Sequence, residues 1–283
     1  MINIIDGKYV SAAVKSHVAL EVLQLKQQGV EPCLAVILVG EDPASQVYVR
    51  NKKKACDEVG IISKEFVLPV DYGQEKLLDL INELNLDPTI NGILCQLPLP
   101  KDYDEKAITE AIWPIKDVDC FHPSNVGRIM TGDYAFLPCT PAGVMEMLKC
   151  YNIDVAGKEC VVISRSNIVG KPMSLLLLNK HGTVTTAHSR TKNLTEVCQR
   201  ADILIAAVGK PKFVTDDMVK EGAVVIDIGI NRVDGKLCGD VDFENVSKKA
   251  SYITPVPGGV GPMTIAMLMQ NTIIATKKQH GIE

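Results

Sequence analysis

The sequence predicts an α/β fold in which two α/β domains flank a cleft, and three observations carry that prediction. Short apolar runs without alternation, such as residues 34–39 (LAVILV) and 160–163 (CVVI), match strands buried on both faces of a sheet. Between such runs lie segments with helical periodicity, long enough to cross from one parallel strand to the next. Gly, Pro, Asn and Asp cluster at the joints, where turns and helix ends require them.

Residues 11–28 carry Val14, Val18, Val22 and Leu25 at helical spacing, and Gly29 ends that helix. The buried strand at 32–40 turns at Glu41-Asp42-Pro43 into a second helix that runs to Gly60. A strand at 61–68, a helix at 73–86 and a strand at 91–97 complete a mostly parallel sheet with helices on both faces. Pro98 and Pro100 interrupt the chain before a short helix at 105–111. No period holds over residues 115–141, which predicts a long functional loop, followed by a helix at 142–149.

Residues 159–182 repeat the strand, tight loop and helix order, with Ser166 and Asn167 in the turn, Pro172 in the first helical turn and Gly182 as the stop. That order opens a dinucleotide-binding unit, so the second domain is expected to be Rossmann-type. Strands follow at 183–187, 203–207 and 224–228, with a helix at 194–200 and a last strand at 240–242 or 252–254. Residues 255–264 (PVPGGVGPMT) hold too much Gly and Pro for either regular element, and the final helix covers 265–278. Returning through a Gly-Pro hinge, that helix is expected to complete the first domain. The expected division is 1–140 with 262–283, and 141–261.

Composition narrows the function. A chain of 283 residues that is 46% apolar, with a mean hydropathy of +0.12, has ample material for two cores. A net charge of −4 without a long basic run argues against a nucleic-acid partner. No run approaches the length of a membrane span, and residues 1–6 lack the features of a signal peptide, so a cytoplasmic protein is expected. Nine scattered cysteines without C-x-x-C read as small buried apolar groups in a reducing compartment, and no metal is expected.

The loop at 164–170 supplies one glycine, Gly170, rather than G-x-G-x-x-G. Its helix start still offers free N–H groups and a positive dipole end to a pyrophosphate, although a packed α/β unit without ligand fits the loop equally well. The next strand ends at His188-Ser189-Arg190-Thr191, where an NAD site would place a carboxylate on the ribose. A hydroxyl and a guanidinium suit a 2′-phosphate instead, which favours NADP. On the helix after the first buried strand, Ser45, Tyr48 and Lys52 share one face, either turned into a ligand crevice or forming a solvated basic face. A lysine acting near neutral pH needs a neutral companion, and Gln96 at the end of a buried strand suits that role. Asp117 and Asp119 are the carboxylates best suited to reading a ligand's donor groups, loop capping being the alternative, above all for Asp117. His122 reads as structural. The absence of G-x-S-x-G, H-E-x-x-H and a Walker loop disfavours serine hydrolases, metalloproteases and P-loop ATPases.

The segments VGEDPASQVYVRNKKKACDEVGI (39–61), NGILCQLPLP (91–100), IKDVDCFHPSNVG (115–127), PCTPAGVMEML (138–148), VVISRSNIVGKP (161–172) and PVPGGVGPMTIAML (255–268) resemble, in order, the bifunctional methylenetetrahydrofolate dehydrogenase/methenyltetrahydrofolate cyclohydrolases of the FolD type. The resemblance implies NADP-dependent oxidation of 5,10-methylenetetrahydrofolate and hydrolysis of the methenyl product to 10-formyltetrahydrofolate, within one-carbon metabolism. It implies Lys52 as the catalytic lysine, Tyr48 stacked on the folate, Gln96 holding Lys52, and Asp119 anchoring the pterin-like ring. Ser45, Leu97, Pro98, Pro257, Gly258 and Gly259 would line the folate side. Thr140, Ser164, Arg165, Ser166, Ser189, Gly209 and Ile230 would meet NADP, with Arg165 and Ser189 reading its phosphate. It further implies a homodimer built through the cofactor domain. The chain departs from the family at Ser164, where glycine is usual; serine is tolerated if that position has ordinary extended geometry and costly if it needs a positive φ. A monofunctional dehydrogenase is the alternative within the same family. A shikimate-type dehydrogenase would not explain Asp119 and the PGG turn, nor a cofactor-sensing scaffold the set Tyr48, Lys52 and Gln96.

Overall fold

A computed structural model describes residues 3–282 of the chain. In order, the elements are β1 (Asn3–Ile4), α1 (Gly7–Gln27), β2 (Cys33–Val39), α2 (Pro43–Val59), β3 (Ile62–Leu68), α3 (Gln74–Leu86), β4 (Gly92–Cys95), α4 (Glu105–Ala111), α5 (Pro123–Thr131) and α6 (Cys139–Cys150). There follow β5 (Glu159–Ile163), α7 (Gly170–Asn179), β6 (Thr183–Ala187), α8 (Leu194–Cys198), β7 (Ile203–Ala206), β8 (Val224–Asp227), β9 (Asn231–Val233), β10 (Lys236–Cys238), α9 (Phe243–Val246), β11 (Tyr252–Ile253) and α10 (Val260–Gln279). They fall into two compact units, one of residues 12–139 with 265–282, the other of residues 3–11 with 140–264.

The first unit is built on a parallel sheet in the order β3-β2-β4. All seven residues of β2 are buried, which is why this strand shows no alternation. Leu77 and Ile81 of α3 and Ile108 of α4 pack with Ala35, Ile37, Ile93 and Cys95 in one core. Because β3 and β4 lie on opposite sides of β2, the chain reverses its direction of travel between the carboxyl ends of β2 and β4, which opens a crevice there. The last helix is tied to this unit by Lys277 Nζ to Glu21 Oε1 at 2.7 Å and by Gln279 Nε2 to the Asn91 carbonyl at 2.7 Å.

The second unit carries a six-stranded parallel sheet in the order β1-β11-β8-β7-β5-β6, a Rossmann-like arrangement. Its reversal point lies between the carboxyl ends of β5 and β7. Val161, Ile163, Leu204, Ala206 and Val225 face one core with Cys198, Val246 and Ile253.

Several expectations need correction. Residues 3–11 join the second unit, because Asn3 and Ile4 pair in parallel with Tyr252 and Ile253; a two-residue strand is too short to show a pattern. The expected loop contains α5, started by Pro123 and by His122 Nδ1, which accepts from Ser124 N at 3.0 Å, and stopped at Gly132 with φ 77°. The next helix starts at Cys139, not 142, since Pro141 is tolerated in a first turn. For the same reason α10 begins at Val260, inside the Gly-Pro segment, with Pro262 in its first turn. Gly182 is not the stop of α7; His181 takes the left-handed conformation at φ 64°. Residues 240–242 make one bridge, Val241 to Val214, rather than a strand. The hairpin β9-β10 turns on Asp234 and Gly235, at φ 48° and 77°, a hairpin signal present in the sequence but not read there.

Candidate active site

The crevice of the first unit receives α2 from one side and the residues after β4 from the other. Asp42 caps α2 by accepting from Ser45 N at 2.7 Å, Pro43 follows in the first turn, and Gly60 closes the helix at φ 82°. This register buries Ser45 and Lys52, leaving them 3% and 7% exposed, and half-buries Tyr48 on the same face. Gln96 directly follows β4, its N–H bonded to the Ile37 carbonyl of β2 at 2.9 Å. Lys52 Nζ donates to Gln96 Oε1 at 2.9 Å, and Gln96 Nε2 donates to the Leu97 carbonyl at 2.5 Å. The second bond fixes which end of the amide faces the amine. Among the described residues no carboxylate pairs with Lys52. A buried amine held by a single neutral acceptor is an arrangement more typical of functional sites than of packing. Burial also pushes the Tyr48 phenol up. Leu97 and exposed Pro98 follow Gln96, across a cis peptide bond.

The two aspartates separate in role. Asp117 is 2% exposed, and its carboxylate accepts from Phe121 N at 3.1 Å, His122 N at 2.9 Å and Asn125 Nδ2 at 2.8 Å. It is a loop cap, its carboxyl raised chiefly by burial. Asp119 is half-buried beside Cys139, whose thiol is pushed well up by burial and then by this carboxylate, while Lys52 acts on the same thiol in the opposite sense. Both loops that bear them are held by Asn271 of α10, whose Nδ2 donates to the carbonyls of Val118 at 2.8 Å and Leu137 at 2.9 Å. Sequence reasoning missed Asn271; its signal was a polar residue amid the apolar run MLMQNTII.

The crevice of the second unit is lined by the loops after β5, β7 and β8. Ser164 has no positive φ, so the extended alternative applies and the departure from glycine carries no backbone strain. Gly170 cannot be replaced so freely: a Cβ there would lie 2.5 Å from the Ser164 carbonyl. The helix start thus presses on the strand end, the role usually given to the third glycine of a dinucleotide loop. Ser166 Oγ accepts from Val169 N at 3.2 Å and Gly170 N at 3.1 Å. Arg165, Ser166, Ser189, Gly209 and Ile230 are exposed at this edge, and neither Arg165 nor Arg190 is in an ion pair among the described residues. Thr140 shares a 2.9 Å hydrogen bond with Thr264.

Of the residues singled out for the folate, Ser45, Tyr48, Lys52, Gln96, Leu97, Pro98 and Asp119 lie on the first unit, while Pro257, Gly258 and Gly259 lie on the second with every cofactor candidate. The Pro257–Gly259 turn is fixed by close approach, since a Cβ on Gly7 would stand 1.8 Å from the Gly259 carbonyl oxygen. Among the described residues no group of three or more His, Cys, Asp or Glu is arranged to hold a metal, and no helix is long and apolar enough to cross a membrane.

Comparison with known proteins matches residues 5–119 to the tetrahydrofolate dehydrogenase/cyclohydrolase catalytic domain and residues 138–280 to the NAD(P)-binding domain of the same family. A curated relative from Agathobacter rectalis, named bifunctional protein FolD, is 60% identical over 98% of this chain and 100% of its own. The crystal structure of the bifunctional enzyme FolD from Campylobacter jejuni is 53% identical, covering 98% of this chain and 99% of that one with a TM-score of 0.97. A Trypanosoma brucei methylenetetrahydrofolate dehydrogenase-cyclohydrolase, solved with NADP cofactor and an inhibitor, is 38% identical over 98% of both chains with a TM-score of 0.94.

Proposed function

The chain belongs to the tetrahydrofolate dehydrogenase/cyclohydrolase family, and on that premise we propose how its residues divide the two reactions between them. It is an enzyme that oxidises 5,10-methylenetetrahydrofolate and hydrolyses 5,10-methenyltetrahydrofolate to the 10-formyl derivative. The residue assignment rests on one observation, the buried Lys52 amine held by a neutral amide at the mouth of a parallel-sheet crevice.

Ring opening needs water added at the methenyl carbon and a proton moved to the departing ring nitrogen. Lys52 relays that proton, Gln96 keeps its amine aimed, and Tyr48 supplies a flat partner for the folate. Asp119 accepts from the donor edge of the amino-heterocycle, as a carboxylate does from a guanidinium. Ser45, Leu97 and Pro98 line the same pocket of the first unit. For the oxidation, the chain's task is alignment, because the neighbouring folate nitrogen stabilises the cation left behind.

Bound NADP+ supplies the hydride acceptor. The residues present fit it: the loop after β6 carries Ser189 and Arg190 in place of a carboxylate, and Arg165 and Ser166 open to solvent beside the start of α7. The NADP complex of the T. brucei relative supports the same reading. Thr140, Ser164, Gly209 and Ile230 complete the cofactor side. The compartment is the cytoplasm, consistent with seven buried thiols packed as small apolar groups. The assembly is a homodimer through the cofactor unit, whose β6 edge exposes Thr183 and Thr186; sedimentation should find twice the 30.8 kDa chain mass.

One spectrophotometric experiment tests the reading. Methenyltetrahydrofolate should disappear without cofactor, and methylenetetrahydrofolate should reduce NADP+ more efficiently than NAD+. Oxidation without cofactor-free ring opening would leave a monofunctional dehydrogenase.

A further inference from the structure

Two carboxylates lie buried side by side at the carboxyl edge of the second sheet, where the reactions described above use neither. Asp240 is 0% exposed and Asp227, at the end of β8, is 3% exposed. Asp240 Oδ2 accepts from Val208 N at 2.6 Å and Gly209 N at 2.9 Å, and its Oδ1 accepts from Lys210 N and Asn231 Nδ2, both at 2.9 Å. Asp227 in turn accepts from Gly229 N, Asp240 N and Val241 N, each at 2.9 Å. The backbone makes room for both. A Cβ on Gly229 would stand 2.2 Å from the Asp240 carboxyl carbon, and one on Gly239 would stand 1.8 Å from Asp227 Oδ2.

The loop gripped by Asp240 follows β7, one of the two strands that frame the reversal-point crevice, and the loop gripped by Asp227 leads to Ile230. We infer that Asp240 is a positioning residue for the dinucleotide: it holds residues 208–210 and Asn231 in the shape that the cofactor meets, with Asp227 holding Asp240. Four donors converge on one carboxylate, so the loop is shaped before any ligand arrives. An asparagine has one acceptor oxygen in place of two and would turn an NH2 group toward N–H donors. The inference rests on the assignment of this crevice to NADP.

The test uses the full-length enzyme. NADPH binding is titrated by fluorescence for the parent and Asp240→Asn, and the dehydrogenase is assayed over a range of NADP+, all scaled to cofactor-free ring opening as the measure of folded enzyme. The NADPH Kd and the KM for NADP+ should rise tenfold or more, with kcat at saturating NADP+ within about threefold. A KM within twofold of the parent, or a loss of kcat with KM unmoved, overturns the inference. Hydrogen exchange on the unmutated enzyme is independent of whether the variant folds. Without cofactor the amides of Val208, Gly209 and Lys210 should be strongly protected, and free exchange there also overturns the inference. If the parent itself fails to bind NADPH, the crevice assignment is what fails.

Discussion

Lys52 and Gln96, 44 residues apart in the chain, meet at 2.9 Å, the amine donating to an amide oxygen whose own N–H2 is anchored on the Leu97 carbonyl. A buried amine with one neutral partner is an arrangement suited to moving protons, the use proposed for Lys52. A carboxylate in place of Gln96 would favour the charged amine and oppose that use.

Lys52→Met should therefore lower cofactor-free ring opening on the order of 100-fold or more, the range typical of a lost proton relay. Methionine fills similar space and removes the buried charge, so urea denaturation should show no loss of stability. NADPH affinity should stay within about twofold. Equal hydrolysis by mutant and parent would refute the role. Gln96→Glu should also slow ring opening, while strengthening the hold on Lys52.

Ser189→Asp tests the phosphate side. A carboxylate near the ribose repels a 2′-phosphate and accepts from a 2′-hydroxyl. The KM for NADP+ should rise at least tenfold, with the KM for NAD+ unchanged or lower. Steady-state kinetics with both dinucleotides give the ratio.

Gly170→Ala tests the contact between helix start and strand end. The added methyl would lie 2.5 Å from backbone atoms of Ser164, which cannot move without the strand. A loss of about 1–3 kcal/mol in urea unfolding is expected, typical of overpacking. The same change at exposed Gly127, where a Cβ meets nothing within 4 Å, should not destabilise.

Thiol chemistry should divide the nine cysteines. Seven are buried, leaving exposed Cys150 and half-buried Cys238. Burial pushes the thiols of Cys56 and Cys95 up to about 12 and those of Cys160 and Cys198 to about 11. At pH 8 the native enzyme should react rapidly with a disulfide reagent at Cys150 and Cys238 only, and with all nine after denaturation. Fast labelling of Cys139 in the native enzyme would contradict the packing around Asp119.

Stability should carry a pH dependence traceable to Asp227. Burial, with a smaller contribution from Asp240, raises its carboxyl from 3.8 to about 6, against the opposing pull of three N–H donors. A raised carboxyl binds its proton more tightly folded than unfolded. Its contribution is thus fully present below about pH 4 and is lost as pH rises through 6, a change of about 3 kcal/mol. Asp227→Asn should be less stable overall, since an NH2 would face a backbone N–H, but this pH component should vanish. The measurement is the parent-minus-variant difference in unfolding free energy at pH 4, 5, 6 and 7.

Local sequence determined a good deal. The unbroken apolar runs of β2 and β5 declared strands buried on both faces, and Asp42, Pro43 and Gly60 marked both ends of α2. The spacing of Ser45, Tyr48 and Lys52 placed them on one face, because periodicity reports the backbone hydrogen bonds of the nearest few residues. Only the tertiary structure decided that β4 lies beside β2, bringing Gln96 to Lys52, and that Asn3 and Ile4 pair with Tyr252 and Ile253. It alone separated Asp117, filled by three donors, from Asp119, and brought Asp227, Asp240 and Asn271 to their loops. Such partners are chosen by strand order and by the demand that every buried polar group be satisfied at once, a condition on the whole packed chain that no local window contains.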